Sequence, residues 1–291
     1  MYVTVNGTRL FFDVDGESLT PDGAVMRQKP TVIMVHGGPG GDHSVAKPFF
    51  SGLTDIAQVV YYDHRGNGRS DLSDRSHWTL AQWGDDLKAL CDALGIEKPI
   101  VIGTSFGGFV TLSYATRHPG HAAGLVLIST AAHVDFTKVY AAFERLGGPE
   151  ARDVARAYWE NPTDEGRAQY RARCVPLYAQ SQTASSDWVS RVLWRNETAL
   201  WFNGPGNEHG RMDFRAALGG ITCPTLVMVG EDDPITPPDF SDDLAAGLAS
   251  DPLSHLKFPD CGHGVVGDKP VESLAALRAF IQTVGGQAVT A

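Results

Sequence analysis

The stretch Val101-Ile-Gly-Thr-Ser-Phe-Gly-Gly-Phe-Val110 sets an apolar run, a serine between glycines and a second apolar run side by side. Ile100 to Ile102 reads as a short buried strand and the residues after Ser105 as a helix. Gly103-x-Ser105-x-Gly107 then marks a sharp strand-to-helix turn. At such a turn the glycines remove Cβ atoms that would clash where strand and helix crowd together. The serine hydroxyl is held above the sheet at a helix N-terminus, where the peptide dipoles favour developing negative charge. The competing reading is a glycine turn made only for tight packing.

Working outward, strand-like runs occur at Val3 to Val5, Leu10 to Val14, Thr31 to Val35, Val59 to Tyr62, Ile100 to Ile102, Leu125 to Ile128, Thr225 to Val229 and Leu256 to Phe258. From Thr31 onward they are continuous apolar blocks, the pattern of strands covered on both faces. Between them lie helical patterns. Thr79 and Gln82 make a capping box before Leu80, Trp83, Leu87, Leu90 and Leu94, and Gly95 ends the helix. The residues after Ser105, around Leu244 and from Val271 to Ile281 also read as helices. The alternation predicts an α/β fold, a mainly parallel eight-stranded sheet flanked by helices, with the first two strands a hairpin through Asn6-Gly7-Thr8.

The alternation breaks between about Ala131 and Phe214. That segment carries Trp159, Trp188, Trp194 and Trp201, four of the six tryptophans, and ten Lys/Arg against eleven Asp/Glu. The expected organisation is a core of residues 1–130 and 215–291 with a helical cap at 131–214. No internal repeat is visible.

The formal charge of −10 excludes non-specific attraction to nucleic acid or anionic membranes. The N-terminus lacks a basic region followed by an apolar run, and no stretch approaches the length of a membrane span, so a cytoplasmic location is expected. Cys91, Cys174, Cys223 and Cys261 are far apart, which suggests reduced, mostly buried thiols and neither disulfides nor a zinc site. No metal or cofactor is expected.

A serine at its ordinary pKa is a poor nucleophile, so a reactive Ser105 requires a base and a group that orients it. His263, in a glycine-flanked loop after the last strand-like run, is the expected base. Glu231, Asp232 and Asp233 follow a buried strand between the two. Asp233 is the first choice because Pro234 fits a rigid turn that aims it inward; Asp232 and the more distant Asp135 are alternatives. Acyl transfer also needs N–H donors for the oxyanion. Phe106, next after the nucleophile, should supply one. The other should come from His36-Gly-Gly-Pro-Gly-Gly41, with Gly38 held extended by Pro39. A phosphate-binding loop is disfavoured there, because neither GK[ST] nor G-x-G-x-x-G is present.

The motifs HGGPGG, YYDHRGNGRS, GTSFGG, GEDDPITP and CGHG, in that order, resemble the α/β-hydrolase superfamily, and HGGPG is most similar to proline iminopeptidases. The resemblance spans nearly all the sheet domain and is faint in the insertion. It implies a triad at Ser105, Asp233 and His263, an oxyanion hole at Gly38 and Phe106, and structural roles for Asp63 and Arg65.

In the similar aminopeptidases, acidic residues of the cap hold the substrate amine. By that resemblance Glu208 in NGPGNEHG is the candidate and Glu197 a weaker one. Trp201 and Trp194 are candidate substrate contacts that favour an apolar acyl or ring substituent. Two departures stand out: Pro234 where tricorn-type relatives carry a second acid, and Phe106 where proline iminopeptidases commonly have Trp. The expected activity is hydrolysis of a small ester, amide or N-terminal aminoacyl bond on a small-molecule or short-peptide substrate. A lactonase or carbon–carbon bond hydrolase could use the same triad. Epoxide hydrolase or dehalogenase chemistry is disfavoured, since those relatives place Asp at position 105, and a ligand-binding receptor on the same fold is the non-enzymatic alternative.

Overall fold

A computed structural model describes residues 1–181 and 190–288; Trp188 falls outside them. Strands β1 (Tyr2–Val5) and β2 (Thr8–Asp15) form the expected hairpin, with Asn6 at φ 45° and Gly7 at φ 73°. A second hairpin, β3 (Leu19–Asp22) with β4 (Val25–Gln28), stands apart from the main sheet and was not anticipated. The remaining strands are β5 (Thr31–Val35), β6 (Gln58–Tyr62), β7 (Ile100–Thr104), β8 (Gly124–Ile128), β9 (Thr225–Gly230) and β10 (Leu253–Phe258). The main sheet has eight strands in the order β1-β2-β6-β5-β7-β8-β9-β10. β1, β2 and β6 pair antiparallel and every later pair is parallel.

This order places the site. The chain leaves β5 toward β6 on one side and later leaves β7 toward β8 on the other, so strand order reverses between β5 and β7. In open α/β sheets such a reversal opens a crevice at the carboxyl ends of the strands. Val35 pairs with Gly103, Thr104 with Ile128, and Phe258 with Gly230. The loops after β5, β7, β8, β9 and β10 therefore emerge along one edge.

Both faces of the sheet are covered. On β5, Ile33 and Val35 join one apolar cluster with Trp83, Leu87, Phe109 and Leu112, whereas Val32 and Met34 join another with Phe50, Leu53, Leu277 and Ile281. Trp83 and Leu87 lie on helix α1 (Leu80–Ala93), Phe109 and Leu112 on α2 (Phe106–Arg117). The capping box on α1 forms by half. Thr79 Oγ1 accepts the Gln82 N–H at 3.2 Å, but the Gln82 amide turns away to Asp86 at 2.9 Å. Gly95, at φ 67°, ends the helix as expected.

Between β8 and β9 the described residues form helices and no strand. α3 (Phe136–Glu160) breaks at Gly148, φ 78°, ahead of Pro149, and α4 (Asp164–Arg173) is capped by Thr163. A 3-10 turn, Val175–Tyr178, and helices Asn196–Phe202 and Glu208–Arg211 follow. Phe143, Tyr158, Trp159, Tyr170 and Phe202 from this segment belong to the same apolar cluster as Trp83 and Phe106.

Candidate active site

Ser105 follows β7 with φ 52° and ψ −121°, a backbone conformation that residues with a Cβ seldom adopt, and it is half-buried at the start of α2. The turn is closed by close approach. A Cβ on Gly107 would stand 2.0 Å from the Val35 carbonyl oxygen, so no other residue fits there. Gly108 N and Phe109 N both donate to the Ser105 carbonyl, at 2.8 and 3.4 Å, and begin the helix.

His263 follows β10 and brings its imidazole to the serine: Nε2 lies 2.9 Å from Ser105 Oγ. Its Nδ1 lies 2.9 and 2.8 Å from the two Asp233 oxygens. Because Nδ1 faces a carboxylate, the proton sits on Nδ1 and Nε2 is left to accept from the serine. The His263 side chain is 10% exposed and that of Asp233 is fully buried. The Asp233 turn satisfies its own carboxylate. Ile235 N and Thr236 N donate to Oδ1 at 2.8 and 2.9 Å, and the Thr236 hydroxyl donates to Oδ2 at 2.8 Å. Such a turn needs an Asp with free amides two and three residues on, which Asp233-Pro-Ile-Thr236 provides. Asp232 does not join. Its Oδ1 accepts from Arg145 Nη1 at 2.6 Å in an exposed pair. Asp135 caps α3 through Thr137, at 2.9 Å to its N–H.

The histidine loop has supports that the sequence did not reveal. The Ser129 hydroxyl donates to the His263 carbonyl at 2.8 Å, and Asp268 accepts the Gly262 N–H at 2.8 Å. The same Asp268 carboxylate accepts the Gln180 and Ser181 N–H groups at 2.9 Å. Tyr178 sets its ring edge-on to His263, centroids 5.2 Å apart. Only the acid five residues after His263 offered a hint.

The glycine loop lies against the nucleophile: a Cβ on Gly37 would be 3.5 Å from Ser105 Cβ. Gly38 has φ 131°, closed to residues with side chains. Phe106 N is the first amide of α2 and has no intrahelical acceptor. The Phe106 ring is buried, edge-on to His64, Trp83 and Phe202 at 5.3, 5.1 and 4.9 Å. Below the loop, His36 Nδ1 donates to the Gly37 carbonyl at 2.7 Å and its Nε2 accepts the His64 N–H at 3.3 Å. Burial holds His36 below the ordinary histidine value; burial, then the neighbouring His36, holds His64 well below it. Both are neutral props.

The Asp63–Ser70 loop clamps this one from the side. Asn67 Oδ1 accepts the Gly40 N–H at 2.7 Å. Asp63 accepts from His43 N, His43 Nδ1 and Arg69 N at 2.9, 2.7 and 2.8 Å. Burial alone would raise its pKa, but the hydrogen bond from His43, with that from the Arg69 amide, holds it below the usual carboxylate range. Arg65 makes a buried two-pronged pair with Asp86, 2.8 Å on each prong. From the insertion, Arg195 N donates to the Gly40 carbonyl at 2.7 Å.

Four expected substrate contacts need correction or placement. Glu208 does not face Ser105. Its Oε1 accepts the Leu80 N–H at 2.9 Å, and the Leu80 carbonyl accepts from Ser113, so Glu208 caps α1 two helical turns along α2 from the serine. Eight residues of helix put Ser113 about 12 Å from Ser105. The cause is the free N–H at the start of α1, a partner far away in sequence. Trp201 is 46% exposed and stands edge-on to Trp78 at 6.4 Å, on the surface. Trp194 does reach the glycine loop, with Cζ3 3.6 Å from where a Cβ on Gly41 would lie. Glu197 pairs with the exposed Arg75 at 2.8 Å.

A family model for the alpha/beta hydrolase fold matches residues 30–270. The chain is similar to a proline iminopeptidase of Thermoplasma volcanium, 29% identical over 97% of this chain and 96% of the relative. It is also similar to a putative carbamate hydrolase of Caulobacter sp. (strain K31), 29% identical over 92% and 96%. The crystal structure of a Mycobacterium smegmatis proline iminopeptidase superposes with a TM-score of 0.79, 21% identity and 99% of each chain covered. The chain belongs to the α/β-hydrolase fold family.

Proposed function

We propose that this chain is a serine hydrolase that cleaves a small ester or amide through an acyl-Ser105 intermediate. The observation that carries the reading is the continuous contact from Ser105 Oγ through His263 to a fully buried Asp233, at 2.9 and 2.8 Å. In it, Ser105 Oγ attacks the substrate carbonyl while His263 Nε2 takes its proton. Asp233 stabilises the resulting imidazolium and keeps the ring in its reactive orientation. The oxyanion is received by the N–H groups of Phe106 and Gly38. His263 then passes its proton to the leaving group, and water, activated by the same nitrogen, releases the acid and restores Ser105. Kinship with an iminopeptidase and a putative carbamate hydrolase supports the same reaction class.

Ester or amide cleavage is favoured over the aminoacyl form because Glu208 and Glu197, the acids expected to hold a substrate amine, are engaged with Leu80 and Arg75. A fluorophosphonate probe and nitrophenyl acetate test the proposal together. The expected result is one phosphonylated residue, Ser105, found by peptide mass, and a burst of nitrophenol equal to the protein present. Absence of both label and burst would refute it in favour of a receptor.

A further inference from the structure

Among the described residues, the helical insertion holds a cationic cluster without a carboxylate partner. Among the described residues every arginine except Arg167 and Arg171 has a carboxylate within 4.0 Å or donates to a main-chain carbonyl. Arg167 is the more telling of the two. It is 7% exposed, and its Nη1 is buried without a hydrogen-bond partner. A guanidinium removed from water to that extent normally has its N–H groups met by acceptors, because an unmet buried charge costs several kcal/mol. Its neighbours do not neutralise it. Arg167 and Arg171 lie over the Trp194 ring at 5.6 and 4.2 Å, and Arg167 interacts with the Tyr158 hydroxyl. Tyr158 OH is bonded to the Asn203 side-chain amide at 2.9 Å. Turning that amide over, which leaves its shape unchanged, makes its oxygen the acceptor and frees its NH2. The Tyr158 hydroxyl then gives its one hydrogen to Asn203, and the donors left without an acceptor are the Arg167 Nη1 and the Asn203 NH2.

Three lines of contact tie this cluster to the Ser105 site. Trp194 touches the Gly37–Gly41 loop at Gly41. Tyr158 packs on Tyr170 at 4.8 Å, whose hydroxyl is 2.8 Å from that of Tyr178, whose ring in turn flanks His263. Asn203 follows Phe202, which packs on Phe106 at 4.9 Å. Chains of packed side chains thus run from the cluster to the oxyanion loop, the histidine and the residue after the nucleophile.

We propose that Arg167, with the Asn203 amide, binds a carboxylate on the substrate, so that the hydrolysed ester or amide is an anion. The inference rests on the serine-hydrolase reading above. A planar guanidinium matches a carboxylate with two parallel N–H···O bonds, whereas a substrate ammonium would meet two positive charges, Arg167 and Arg171. The carboxylate can belong to the acyl part or to the leaving group, and the probes separate these.

The test compares kcat/KM of wild type, Arg167→Met and Arg167→Lys on three esters: mono-nitrophenyl glutarate, its neutral methyl ester, and 4-butyryloxybenzoate. Arg167→Met is expected to lower kcat/KM at least 10-fold on one charged ester and less than 2-fold on the neutral one, with partial rescue by Lys. Which charged ester responds identifies the acyl or the leaving-group side. Equal losses on charged and neutral esters, or no loss, would overturn the proposal while Ser105-dependent turnover of the neutral ester left the hydrolase reading intact. Calorimetric titration of wild type with glutarate and with benzoate covers a variant that fails to fold or a chain that turns over no ester. Binding that weakens with salt and competes with the charged ester, or that is lost in Arg167→Met, supports the site, and no binding together with no charge discrimination overturns it.

Discussion

Asp232 and Asp233 are neighbours in the chain and opposites in environment: Asp233 is fully buried against His263, whereas Asp232 reaches out to Arg145 at 2.6 Å in an exposed ion pair. Asp233→Asn is therefore expected to lower kcat by roughly 10⁴-fold, the scale seen when the orienting carboxylate of a triad is neutralised. Asp232→Asn should change it less than 2-fold, since an exposed pair contributes about 0–1 kcal/mol. Steady-state kinetics of both variants on one nitrophenyl ester decide the matter, and comparable losses would reassign the orienting role.

Ser105→Ala is expected to lose roughly 10⁴-fold or more in kcat, with residual rate from the remaining site groups. It should leave the circular dichroism spectrum unchanged, because the hydroxyl contributes little to packing. Activity close to wild type would remove Ser105 from the mechanism.

Glu208→Ala should act on stability and leave kinetics alone. Its carboxylate caps α1 at Leu80 N, and losing a cap costs about 1 kcal/mol. A melting-temperature decrease of a few degrees with unchanged kcat/KM on aminoacyl and acyl substrates is the expected pattern. A selective loss on free aminoacyl substrates would restore the amine-binding role.

Acid stability should depend on His209. Its ring, stacked on Phe202 at 5.4 Å, is 5% exposed, and burial pushes its pKa down to about 3. The folded value lies below the unfolded value of about 6.5, so the neutral ring contributes its full stability above that pH. The contribution is lost as pH falls from there toward 3, by up to about 1.4 kcal/mol per pH unit. His209→Phe keeps an aromatic ring and removes the proton site. Its melting temperature should fall less than that of wild type between pH 7 and pH 4.5; parallel curves would exclude the effect.

The parallel sheet was legible because each of its buried strands is a short block without polar interruption, from Thr31–Val35 to Thr225–Gly230. The hairpin Leu19–Asp22 with Val25–Gln28 was not, since it is mostly exposed, contains Pro21 and has no covered face to impose a pattern. β10 begins three residues earlier than expected; half-exposed at the sheet edge, it alternates where the central strands do not. The residues around Ser105 were readable because strained turns restrict composition within a few positions. Glu208 misled because which N–H a carboxylate caps is decided across 128 residues of chain. Arg167 was invisible for the same reason: lacking a carboxylate partner is a property of the fold, and the nearby Asp164 is paired with Asn196 instead.

The backbone of Ser105, at φ 52° and ψ −121°, places chemistry and robustness in opposition at a single residue. A side chain in such a conformation carries a penalty of about 1–3 kcal/mol that glycine escapes. The substitution Ser105→Gly would therefore make a sturdier protein without its nucleophile. A library of this chain screened for heat resistance alone would enrich that dead variant, so thermostabilisation has to be selected on surviving turnover.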